Sequence, residues 1–138
     1  MIKNIIFDIG GVLAEPKSGH WFITTNFWNI LNKNLIDEEK LKISLKKYLY
    51  LQTQEPKTEK DEHKMFSNYY CNVLKDINYP NASLDIANKL ADDCVYNDDK
   101  FIFFDDVYSI LEELSKKYNL YIISNGWPSS FRVLKNKG

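Results

Sequence analysis

Ile5-Ile6-Phe7-Asp8-Ile9-Gly10-Gly11 is a short apolar, β-prone run closed by a carboxylate and two glycines. That is the pattern of a buried parallel strand emptying into a tight loop. A second such run, Leu120-Tyr121-Ile122-Ile123, closes on Ser124-Asn125-Gly126. It follows a predicted helix with Asp105 or Asp106 as N-cap, Val107, Ile110, Leu111, Leu114 and Tyr118 on one face, and Lys116-Lys117 in the last turn. Helix followed by strand is the rhythm of an α/β domain.

Between the two runs the spacing predicts helices rather than a loop. Ile23, Phe27, Ile30 and Leu31 share one face; Leu41, Leu45, Tyr48 and Leu49 share another, after a start signal at Asp37. Phe66, Tyr69, Tyr70, Val73, Leu74 and Ile77 form a third stripe entered from Thr58-Glu59-Lys60-Asp61. Ile86, Ala87, Leu90, Ala91, Cys94 and Val95 form a fourth, with Ser83 as its cap. Breakers at Gln54-Glu55-Pro56-Lys57 and Tyr79-Pro80-Asn81 separate them. Such aromatic stripes serve as core more often than as ligand surface.

With 44% hydrophobic and 27% charged residues over 138 positions, the chain has the composition of one packed domain. Eighteen basic and nineteen acidic residues leave a net charge of −1, too little field to gather nucleic acid or anionic lipid. Cys71 and Cys94 are far apart without Cys-x-x-Cys spacing, so reduced, packed thiols are expected. The first apolar stretch is too short for a signal peptide or membrane span, which makes the cytoplasm the default compartment.

Phe7-Asp8-Ile9-Gly10-Gly11-Val12-Leu13 resembles motif I of the haloacid dehalogenase superfamily, and Leu120 to Gly126 resembles motif II, in the expected order. The resemblance implies an α/β fold: a Rossmann-like core with a partial parallel sheet from residues 1–15 and 100–138, and an inserted helical C1 cap over residues 16–99. It implies a magnesium-dependent phosphatase acting on a small phosphorylated metabolite. Asp8 would attack phosphorus to form an aspartyl-phosphate and, with the Gly10 carbonyl, ligate magnesium. Ser124 and the Asn125 N–H would donate to phosphoryl oxygens, and Gly126 would permit the turn. Taken alone, Asp8 also reads as a loop cap, and Ser124-Asn125-Gly126 as an ordinary turn.

Two departures qualify what the resemblance implies. Gly10 stands where many superfamily phosphatases carry a second Asp as general acid and base, a group worth roughly 10²–10⁴-fold in rate. Glu15 and His20 are the nearby candidates to replace it, and the same Gly10 leaves metal-free haloacid dehalogenation as an alternative. Secondly, the family needs a later Lys and an acidic motif; Lys135 and Lys137 come too early for that Lys. The expectation is therefore an incomplete form, weak as a catalyst, with bare sheet edges that favour self-association, or a non-catalytic remnant acting as an interaction module.

Overall fold

The computed structural model describes residues 1–137. Four strands and six helices follow one another: β1 (Asn4–Phe7), β2 (Ala14–Pro16), α1 (Phe27–Ile30), α2 (Glu38–Lys47), α3 (Glu59–Asp76), α4 (Leu84–Tyr96), β3 (Phe101–Phe103), α5 (Val107–Ser115), β4 (Asn119–Ile122) and α6 (Pro128–Asn136). The architecture is mixed α/β. β1 and β4 pair in parallel from Asn4↔Asn119 to Phe7↔Ile122, and β2 pairs antiparallel with β3 from Ala14↔Phe103 to Pro16↔Phe101.

The helices start where the sequence places their signals. Asp37 Oδ1 accepts from the N–H groups of Glu39 and Lys40, Ser83 Oγ accepts from Ile86 N–H, and Thr58 and Asp61 form a reciprocal capping box. α3 ends in a Schellman turn: Asn78 takes φ 53°, Asn78 N–H donates to Lys75 O and Tyr79 N–H to Leu74 O. That turn reverses the chain so that α4 packs along α3. Their facing stripes, with Phe27, Leu31, Leu41 and Leu45, form a sealed core in which Phe66, Tyr69, Tyr70, Leu90 and Val95 are all but inaccessible. Tyr69 and Tyr70 satisfy their hydroxyls on Leu45 O (2.7 Å) and Phe22 O (2.9 Å), so both belong to this core. Both cysteines are free thiols, Cys94 buried and Cys71 half-buried.

Three sequence expectations are corrected. The stripe from Ile23 to Leu31 yields a single helical turn, because Asn26 is held by Asp93 through its N–H (2.9 Å) and Nδ2 (2.7 Å) just before α1. α5 begins after Asp106 without a side-chain cap, since Asp106 has helical backbone angles where an N-cap requires an extended residue. The strands are not buried either: Ile6 is 57% exposed, Ile122 48% and Ile123 67%. With only one hydrogen-bonded neighbour each, β1 and β4 cannot be covered as strands inside a larger sheet are. Among the described residues, no helix is long and apolar enough to cross a membrane.

Stability of the helical core has a pH dependence of definite sign. Burial pushes the Cys94 thiol up from its ordinary 9.0 to about 12 and raises the Tyr69 and Tyr70 phenols. The unfolded chain releases these protons first, so their stabilising contribution is whole below about pH 9 and is lost as pH climbs to about 12. Urea midpoints should fall steadily over that alkaline interval. A midpoint that stays flat would show the three groups to be solvated.

Candidate active site

The C-terminal ends of β1 and β4 lie side by side, and Ile123 N–H extends the ladder by donating to Phe7 O at 2.9 Å. Asp8 and Ser124 therefore leave the sheet together. Both line a single cleft of about 750 Å³. Its strand-end wall includes Asp8, Gly10, Ser124, Asn125 and Gly126; its other wall includes His20, Trp21, Thr24, Lys100, Phe101 and Trp127. This is the crevice beyond the carboxyl ends of parallel strands in which α/β sheets hold ligands.

Asp8 is exposed, and its Oδ1 accepts from the N–H of Ile9 at 2.7 Å. Its loop-capping role thus occupies one carboxylate oxygen and leaves the other to the cleft. The loop then folds back, with Leu13 and Ala14 N–H groups donating to Ile9 O and Gly11 N–H to Ala14 O. Ser124 Oγ and the Asn125 N–H have no partner among the described residues, so both can donate to a bound oxyanion.

Gly10 and Gly126 are explained by close approach. A Cβ at residue 10 would sit 3.2 Å from the Trp21 ring, so a side chain there needs the indole to give by a few tenths of an ångström. A Cβ at residue 126 would sit 3.2 Å from Ser130 Cβ, and its absence lets the Ser124–Trp127 loop lie against α6. The Gly10 carbonyl accepts no hydrogen bond among the described residues. Asp8 and Gly10 thus offer two hard oxygen donors on one loop, the ligand type that a hard divalent cation takes. No group of three or more potential metal-ligating His, Cys, Asp or Glu side chains occurs among the described residues.

Of the two candidates for the missing acid, Glu15 is exposed on β2 and does not line the cleft, whereas His20 does. His20 Nδ1 accepts from the N–H groups of Phe22 and Ile23, each at 3.1 Å, and burial lowers its pKa. The imidazole is thereby held neutral with its proton on Nε2, making it a hydrogen-bond donor rather than a cationic acid. Lys135 and Lys137 on and after α6 do not reach the cleft; Lys137 instead faces Asp99.

Sequence reasoning missed a buried relay behind the site. Glu62 of α3, wholly inaccessible, accepts from Ser129 N–H at 2.8 Å and from Ser129 Oγ at 2.5 Å. Ser129 Oγ in turn accepts from Lys100 Nζ at 2.5 Å. Burial raises the Glu62 carboxyl and lowers the Lys100 ammonium, while their attraction opposes both shifts. Trp127, α6's N-cap residue, makes no side-chain cap; the carboxylate from α3 fills that role across the structure. The available signal was position: Glu62 falls three and four residues before Met65 and Phe66, on the apolar face of α3.

In comparisons with known proteins, no family model, curated protein or solved structure matches this chain.

Removing the Glu62 carboxylate leaves Ser129 N–H and Oγ at the α6 N-terminus without their acceptor and takes a counter-charge from half-buried Lys100, a defect worth about 3–5 kcal/mol. Glu62→Ala should lower unfolding free energy by that order in urea titrations, with Glu62→Gln less affected. An unshifted Glu62→Ala midpoint would mean the relay is open to water.

Proposed function

We propose that this chain is a hydrolase of the haloacid dehalogenase type, acting as a phosphatase on a small phosphorylated metabolite. The observation that carries the reading is the convergence of Asp8 and Ser124, from neighbouring ends of two parallel strands, on one cleft. The same reading takes α1 to α4 as a C1-type cap, with β2 and β3 paired where that insertion leaves and rejoins the strand-bearing part.

In this mechanism the free oxygen of Asp8 attacks phosphorus in line, and the bond from phosphorus to the leaving oxygen breaks. Ser124 Oγ–H and Asn125 N–H donate to the non-bridging oxygens, where negative charge must be held as the reaction proceeds. Magnesium, bound by the Asp8 carboxylate and the Gly10 carbonyl, would supply charge neutralisation. Water then hydrolyses the acyl phosphate and returns Asp8. With Trp21 against Gly10, no carboxylic acid stands over the leaving oxygen; neutral His20 can hydrogen-bond to it but does not carry an ionisable second proton near neutrality. Leaving groups that depart as stable anions are therefore favoured.

Aryl phosphates should be turned over with magnesium faster than alkyl phosphates, by roughly the 10²–10⁴-fold that general acid catalysis contributes. Asp8→Asn should abolish turnover while leaving the fold intact by circular dichroism. Undiminished turnover in Asp8→Asn sinks the assignment.

A further inference from the structure

Gly126 does not take a positive φ, so its backbone does not call for glycine. What its missing Cβ leaves is space. A Cβ at residue 126 would have Ser130 Cβ at 3.2 Å, Ser130 Oγ at 3.3 Å and Ser124 Oγ at 3.8 Å as its nearest neighbours. Two hydroxyl oxygens, one from the loop after β4 and one from the first turn of α6, thus lie within 4 Å of a single point. Both serines line the cleft. Ser130 is 5% exposed, and its N–H is spent on Trp127 O at 2.9 Å. Its Oγ has no hydrogen-bond partner among the described residues and, unlike Thr24 Oγ1, is not sealed from solvent. A helical serine commonly turns its hydroxyl onto nearby backbone, as Ser109 does on Asp106 O and Ser115 on Glu112 O. A nearly buried hydroxyl left without a partner is the exception that points to a ligand. The neighbouring groups are committed: Ser129 N–H and Oγ to Glu62, and the Lys100 ammonium to Cys94 O and Ser129 Oγ.

We propose that Ser130 is a second hydroxyl donor for the oxyanion bound at the β4 end, sharing it with Ser124 across the gap that Gly126 leaves. The ligand is a tetrahedral oxyanion that places one oxygen on each hydroxyl. That this anion is the phosphoryl group attacked by Asp8 rests on the phosphatase reading; the pairing of the two hydroxyls does not. Both donors are neutral, so they orient the anion without adding charge. Because Glu62 anchors the start of α6, the Ser130 hydroxyl is held by the helical layer, and the anion is gripped between a strand end and a helix.

Inorganic phosphate titrated into the 15N-labelled full chain, read by amide shifts, tests the pair. Saturable shifts at Ser124–Gly126 and Ser130 that fit one dissociation constant are expected. Ser130→Ala and Ser130→Cys should each weaken that affinity by roughly 2- to 10-fold, the worth of one neutral hydrogen bond. Cysteine keeps the shape and offers only a weak donor, so a loss common to both variants is loss of the hydroxyl and not of packing. Gly126→Ala, whose methyl enters the gap, should weaken binding more than either. Wild-type affinity in a folded Ser130→Ala or Gly126→Ala overturns the proposal, as does the absence of saturable shifts at these residues in the unsubstituted chain. Should Ser130→Ala fail to fold, Ser130→Cys decides, and unchanged affinity there overturns the proposal. An Asp8→Asn chain that keeps its turnover while the phosphate shifts persist refutes the phosphatase reading alone, so the two failures are told apart.

Discussion

The carboxylate of Glu62, enclosed between α3 and α6, is the interaction on which the remaining architecture depends. A carboxylate removed from water costs several kcal/mol unless donors meet it. Here each oxygen of Glu62 accepts one bond from Ser129, from its N–H and its hydroxyl, and Lys100 in turn donates to that hydroxyl. The same bonds end the orphan state of the α6 N-terminus and seat the loop that precedes it. Trp127 follows by packing edge-on to Phe66 at 5.1 Å, and Arg132 adds bonds to Glu59 and Val95 O. One helix of the strand-bearing part is thus pinned to the helical layer at several points. A cleft wall made from both layers keeps its shape for that reason.

Rigidity of this kind has a consequence for any closing motion. Separation of the two layers along α6 would expose Glu62 and Lys100 together, so relative movement must pivot elsewhere. The three-residue ladder between β2 and β3 is the thinner connection, held by Ala14–Pro16 against Phe101–Phe103 and by Lys17 N–H to Lys100 O. Helix-side packing is dense and the strand side is sparse. Ile6, Ile122 and Ile123 present apolar surface on a two-stranded parallel ribbon, an arrangement that is marginal in isolation.

What could be read from residues alone was whatever is decided locally. Asp37, Thr58 with Asp61, and Ser83 start their helices because capping involves only the next three residues. The stripes of α3 and α4 are long enough for periodicity to speak. Asp8 and Ser124 were legible because each ends its own apolar run. By contrast, β2 and β3 are three residues long, below the length at which alternation carries information, and their pairing is a tertiary fact. α1 was overestimated since Asp93, sixty-seven residues on, captures Asn26. Glu62, Ser129 and Lys100 come together only after the helical layer has folded, so no spacing rule links them.

Gly10 joins these levels. On paper its lack of a carboxyl looks like a lost acid; in space the Trp21 ring lies close enough that any side chain here would need it to give by a few tenths of an ångström. Phe101 packs edge-on against that indole at 5.9 Å, so this part of the cleft wall is aromatic where a second carboxylate would have been charged. Under the proposed reading, Ser124 Oγ–H and Asn125 N–H are then the donors left to hold developing charge. On the proposed reading, catalysis rests on holding charge rather than on moving protons, and the tautomer-fixed His20 on the cleft wall, a donor with no second proton to give, fits that demand.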